Sequence, residues 1–521
     1  MARQQLTIKT MTPDSCSAVG GPDYNAVYPS GWAQIGSDID GEADDDDSGR
    51  VVSINDAGTI MAIGAHKNDG NGSNAGHVRV YEWYDIGDDW SQKGGDIDGD
   101  SANDRFGISV SINNDGTILA VGADSDDDGG SASGRVKVFY WEEAGGSWES
   151  KGSPIDGEAA SDFSGWDVSL DADGDVLAIG AYRNDGDGGT DRGHVRVYAW
   201  NGSAWSQRGS DIDGAADGDN SGISVSLNGD GSVVAIGAWK NDDGPGSDAG
   251  HTRIFSWNGS AWSQKGSDID GEASGDLSGY NVSINDQGTI VAIGAYANDG
   301  TGTDAGHTRV YYWDGSDWDQ RGPDIDGEAA GDRNGWNVSL DQHGAVVAIG
   351  AYRNDGTASS AGHVRVHKWN GTTWAQLGAD IDGEAGGDRS GVGVSLNRGG
   401  NIVAIGAEGN NGSGGDDVGH VRVYEYHSVD RVQVGDLVYI DHIEAGAGEG
   451  ADVSSIYTYQ VKTIVDSKTL TLTYISNTAG LSMVSPCDLC DGSGSSGACD
   501  DINPPHVFKR DLGAAFMTFM E

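Results

Sequence analysis

Carboxylates dominate the side chains of this sequence that could do chemistry. A segment of the form D-I-D-G-E-A-x-x-D runs from Asp38 to Asp46 and again from Asp268 to Asp276, with close variants elsewhere. Asp38, Asp40 and Glu42, with Asp44 or Asp46, fall at alternating positions of a glycine-containing loop, as do Asp268, Asp270, Glu272 and Asp276. Calcium takes about six to eight oxygen ligands, so these eight residues (Asp38, Asp40, Glu42, Asp46 and their later counterparts) are candidate Ca²⁺ ligands. The glycine comes two residues earlier than in an EF-hand loop, so the motif is a different one. The competing reading is that Asp and Asn side chains close turns by bonding their own backbone.

Histidine is the second candidate. Six copies of a Gly-His pair precede alternating segments, at His77, His194, His251, His307, His363 and His420, while Arg135 occupies that place once. Such a ring could bind metal or sense pH. Its repetition favours a structural role, with a ring nitrogen tied to a loop carbonyl or carboxylate. The arginines two residues on (Arg79, Arg196, Arg253, Arg309, Arg365 and Arg422) are expected to pair with an Asp of a neighbouring loop. Four cysteines remain: Cys16, and Cys487, Cys490 and Cys499 near the C-terminal end. With Cys16 or His506 they could hold Zn²⁺, but a single C-x-x-C makes zinc the weaker reading beside disulfides or free thiols. The run Gly300-Thr301-Gly302-Thr303-Asp304-Ala305 mimics a dinucleotide fingerprint, yet it lies between two strands rather than before a helix.

These groups are carried by a repeat. Its W-x-Q/S-x-G opening recurs at Trp32, Trp90, Trp148, Trp205, Trp262, Trp318 and Trp374, at spacings of 58, 58, 57, 57, 56 and 56 residues. In the fifth copy four strands are expected, at Trp262–Ile269, Gly279–Ile284, Thr289–Ala295 and His307–Trp313. An Asn285-Asp286-Gln287-Gly288 turn joins the second and third, and Asn-Gly-Ser turns such as Asn258-Gly259-Ser260 join other strands. The Asn-Gly-Ser sites also match glycosylation acceptors, a reading the hairpin turn displaces. Four strands repeated seven times predict an all-β fold, a seven-bladed β-propeller. If the apolar strands are inner, the last copy lacks its outermost strand, and Trp32–Ile39 supplies it. The ring then closes through an N-terminal strand, and the two acidic loops of each copy emerge on one face. The expected divisions are an N-terminal lead-in (1–31), the propeller (32–427), a small C-terminal β-domain (428–480) and a Cys/Gly-rich segment with a docking tail (481–521).

Phe106-Gly107, the following Ile118–Ala123 (ILAVGA) and Gly134–Phe139 resemble the FG-GAP repeat of integrin-α-like seven-bladed propellers. Ser-Gly or Asn-Gly stands for Phe-Gly elsewhere, while a Gly-Ala pair persists from Gly64-Ala65 to Gly406-Ala407. The resemblance spans about three quarters of the chain. It implies calcium in a D-x-D-x-D-G-x-x-D loop between the first two strands of a blade. That connection is here a four-residue turn, so those ligands do not carry over.

The net charge of −51 excludes nucleic acid and anionic membranes as partners. Hydrophobic residues make up only 36% of the chain, but they cluster in short alternating runs, which argues for strands over disorder. The N-terminus has no apolar h-region and no 18-residue apolar run occurs, so neither a cleavable signal peptide nor membrane insertion is expected. The blades are too alike to single out a catalytic point, so the expectation is no enzyme and no catalytic residue. The favoured function is a structural and recognition propeller on a virion, a bacteriophage head or tail decoration or fibre protein. It would be attached to other structural proteins through residues 428–521. Its alternatives are a calcium-dependent surface adhesin or carbohydrate-binding module, contacting a host-surface glycan or protein, and a propeller glycosidase.

Overall fold

The computed structural model describes residues 31–427, apart from 85–86, 187–188, 243 and 413–414, together with the backbone of four strands outside them. It divides into two compact units, one being Gly31–His427. In the other, Gln5–Thr7, Thr469–Asn477, Tyr457–Asp466 and Leu437–Ile440 pair in that order as an antiparallel sheet. The cysteines, His506 and the tail 481–521 lie outside the described residues. Among the described residues no helix is long and apolar enough to cross a membrane.

Gly31–His427 is a ring of seven four-stranded antiparallel blades. Blade 1 begins at Val51, and blade 5 shows the order: Asn281–Ile284 innermost, then Ile290–Ala295, His307–Trp313 and outermost Trp318–Gln320. The second strand of the blade is the apolar Ile-Val-Ala-Ile-Gly-Ala run, because a strand flanked on both faces by other blades must be apolar on both faces. Blade 7 closes as expected. Its outermost strand is Gly31–Gln34, which pairs with His420–His427 in a register running from Gly31 opposite His427 to Gln34 opposite Tyr424.

One expected strand is broken. Trp262–Ile269 splits into Trp262–Gln264 and Ile269–Asp270, both paired with His251–Trp257. The break falls at Gly266, whose φ is +82° and where a Cβ would stand 2.8 Å from Trp318 and 2.9 Å from Trp313 of the next blade. The chain bends there so that two indoles of the neighbouring blade can pack on bare backbone.

No blade has a core of its own. Each apolar cluster is shared by neighbours, as where Val233, Ala235 and Ile254 of blade 4 pack with Val282, Ile284, Val291 and Ile293 of blade 5. Two hydrogen-bonded belts reinforce these seams. Near the axis, the inner strand of each blade offers a serine oxygen to a backbone N–H of the next. The seven bonds, from Ser53 to Ile112 round to Ser395 and Ile54, measure 2.9–3.1 Å. They satisfy inner-edge donors that would otherwise be buried without partners. At the outer edge of the ring, all seven repeat tryptophans donate Nε1–H to a carbonyl of the preceding blade, at 2.6–3.2 Å. Between the belts, the glycine of each Gly-Ala pair lies against the glycine that opens the next blade. A Cβ on Gly294 would overlap the Gly335 carbonyl oxygen.

Candidate functional site

The eight candidate calcium ligands are not gathered loop by loop. Asp46 and Asp276 are buried turn-closers: each accepts the backbone N–H of the residue three before it and an Asn amide, from Asn68 or Asn298, at 2.9–3.0 Å. Asp40 and Asp270 contribute main-chain carbonyls, which take Arg79 and Arg309 at 2.7 and 2.6 Å. All six arginines make this bond to the preceding blade, so the expected blade-to-blade clamp exists, but its acceptor is a carbonyl. The nearby carboxylate is Glu rather than Asp, at 3.6–3.8 Å in five blades.

The outer carboxylates Asp38, Glu42, Asp268 and Glu272 separate to different blade junctions. Glu42 lies with His77 and Asp96, Glu272 with His307 and Asp324, and Asp38 with Glu384 and His420. Glu158, His194 and Asp211 form a fourth such group, and Glu328, His363 and Asp380 a fifth. Within each group the potential ligand atoms lie within 4.8 Å of one another, so these groups could hold a metal ion. Asp268 stands 3.8 Å from His251. The reason is the break before each Ile-Asp pair. It places the first Asp of a loop on the blade just completed and sends the Glu onward to the next. Burial, followed by the neighbouring arginine, holds His77, His194, His307 and His363 down to about 4, so these imidazoles are neutral at pH 7. Burial likewise raises Glu42, Glu158 and Glu272 above the ordinary carboxyl value.

A second site surrounds the axis, and the sequence reading missed it. The residue after each Ser-Gly, Phe-Gly or Asn-Gly pair comes in turn from every blade: Arg50, Ile108, Trp166, Ile223, Tyr280, Trp336 and Val392. All seven line one axial cavity of about 90 Å³, joined by Asp167, Asn281 and Asn337. At roughly 10–15 Å³ per water it has room for about six to nine waters. Next to it come residues that follow the Gly-Ala pairs: Tyr182, Trp239, Tyr296 and Tyr352 pack on its aromatic lining, and Glu408 pairs with Arg50.

The rosette has two characters. Blades 4–6 form an aromatic arc. Ring centroids are 4.5 Å apart for Tyr280–Trp336 and Trp336–Tyr352, 4.7 Å for Tyr280–Tyr296 and 5.5 Å for Trp239–Tyr280. Blades 7, 1 and 2 carry ion pairs: Arg50 and Arg389 on Glu408 at 3.0 and 3.2 Å, Lys67 on Asp47 at 2.7 Å, and Arg105 on Asp124 at 3.0 Å. Burial pushes Asp124 up to about 6 and Asp167, in the wall of the axial cavity, up to about 7. The rim is strained as well. Asp47, Arg105, Phe163, Asn220, Leu277, Arg333 and Arg389, one per blade, all have φ between +54° and +60°. For most of these residue types that conformation is unfavourable, and only the surrounding structure keeps it. The sequence signal was available: these are positions where otherwise near-identical copies disagree.

Residues 97–139 match the model of the FG-GAP repeat. No curated protein matches the chain in sequence. Among solved structures, a Bacteroides uniformis protein named as a 6-phosphogluconolactonase is similar at 9% identity and a TM-score of 0.48, over 81% of this chain and 95% of that one. The periplasmic gluconolactonase PpgL of Pseudomonas aeruginosa is similar at 13% identity and a TM-score of 0.43, over 64% and 85%. The expectation that the chain is no enzyme rested on blades too alike to single out one point, and it is corrected: the rosette supplies the asymmetry that the repeats lacked. At these identities the likeness extends to the fold and assigns no reaction. What the geometry and the comparisons establish together is a seven-bladed β-propeller that carries an FG-GAP repeat.

Proposed function

We infer that the ring is a recognition propeller that takes carbohydrate end-on at the axial rosette, in an exposed part of a larger assembly. One observation carries this reading: among near-identical blades, the residues that differ converge on the axis as an aromatic arc beside ion pairs whose carboxylates are buried and whose cations reach solvent. Sugar rings offer C–H faces to Trp and Tyr, and hydroxyls to Asp, Asn and Arg, so this mixture suits them. A net charge of −51 favours neutral over sulfated or uronic glycans.

Glycan-array binding of the full chain tests it. Binding is expected to be lost in Trp336→Ala and kept in Asn258→Ala, at an exposed turn distant from the axis. Unchanged binding in Trp336→Ala would sink the proposal. A chelator arm reads the calcium dependence expected for such a module. The proposed setting is the outside of a virus particle, with residues 428–521 attaching to its structural proteins. Particles that contain the chain in fixed copy number support that setting, and particles without it refute it.

A further inference from the structure

The blade-junction groups have a feature that turn closure and ion pairing leave unexplained. His77, His194, His307, His363 and His420 are each only 1% exposed. Nε2 of the first four is buried without a partner, which leaves Nδ1 as the ring atom that faces a possible ligand. Nδ1 faces the carboxylates at 3.7–4.0 Å, too far for a hydrogen bond. That gap is one ion wide, since metal–ligand bonds of about 2.0–2.2 Å on either side would span it. The Asp is already aimed. In all five groups its Oδ1 accepts the amide of the repeat's Gln at 2.6 Å, leaving Oδ2 toward the centre where a contact is resolved. This is how a supporting residue orients a metal-binding carboxylate.

The molecule contains its own control. In blade 2 four positions change together: Arg135 stands for His, Pro154 for the Asp, Asp100 for the Glu and Ser150 for the Gln. The Arg135 guanidinium sits at the histidine's register position, opposite Asp156, and bonds Asp156 at 2.6 Å and Asp128 beside it. Where the ligand set is gone, the chain supplies a cation of its own. Blade 4 lacks only the Glu, which is Ala215, and keeps His251 beside Asp268.

We propose that five blade junctions each take a divalent cation of the zinc class, held by one imidazole and two carboxylates drawn from two consecutive blades. An imidazole with only three protein ligands suits zinc better than calcium, which calls for more oxygens. The sites are separate from the rosette and independent of any carbohydrate ligand.

The test is calorimetric titration of Zn²⁺ into the chelator-stripped full chain with its cysteines alkylated. Five equivalents are expected, one for each group. Glu272→Gln, at an exposed carboxylate, should lower the count by one, and Ala215→Glu should raise it by one by completing blade 4. Loss of one equivalent in His307→Ala adds a second check. Absence of saturable binding, a count that ignores both Glu272→Gln and Ala215→Glu, or tighter binding of Ca²⁺ than of Zn²⁺ would overturn it.

Discussion

The seams between blades and the rosette at their centre use the same backbone in opposite ways. At the seams, seven serines, seven tryptophans and seven glycine contacts repeat nearly without change, and each makes one interaction whose geometry the fold dictates. At the rosette, equivalent positions hold Arg, Ile, Trp, Tyr or Val, and the rim keeps non-glycine residues at positive φ. Repetition in this molecule marks what closes the ring. Variation marks what the ring presents.

That contrast can be broken most forcefully at the glycines. Gly294→Ala drives a methyl into the Gly335 carbonyl, so unfolding in denaturant should show a loss of about 3 kcal/mol, with reduced soluble yield. Ser283→Ala comes next. It strands the Leu340 N–H, bonded at 3.0 Å, and should cost about 1–2 kcal/mol by the same measurement. A smaller effect of opposite sign is expected at the rim. Leu277→Gly relieves a φ of +58° and should stabilise by roughly 0.5–1 kcal/mol, the result expected of a rosette not optimised for stability.

The subtlest test concerns Asp167. Its folded carboxyl titrates at about 7 against an ordinary 3.8, so the folded state holds the proton more tightly than the unfolded chain. Stability should therefore fall as pH rises from about 4 to about 7. Asp167→Asn should flatten that part of the melting-temperature profile. The substitution is native to the fold, because Asn281 fills the same place in blade 5 and accepts Val338 N–H at 2.9 Å. A profile equally steep in the variant would remove Asp167 from the account.

The ring was legible in the sequence because its determinants are local and periodic: an alternating run, a turn glycine and a tryptophan every 56–58 residues. Closure through Trp32 followed from counting strands. The candidate sites were less legible, for two physical reasons. Side chains close in sequence, such as Asp38 and Glu42, are sent to different junctions by one bend in the strand, so spacing along the loop predicted the wrong partners. The rosette assembles residues about 57 positions apart, and no single copy reveals it. Only the disagreement among copies at Trp166, Tyr280 and Trp336 points there.

The closing pair of strands also sets how the ring bears load. Gly31 and His427 lie opposite each other, so both chain ends leave the ring at the same end of one antiparallel ladder. Force drawing those ends apart would open the pairs from Gly31–His427 toward Gln34–Tyr424 one after another, instead of shearing all four at once. The seam is thus a zipper under tension, and the pairing of Gln5–Thr7 with Thr469–Asn477 ties the two chain ends together before a pull on them reaches the ladder.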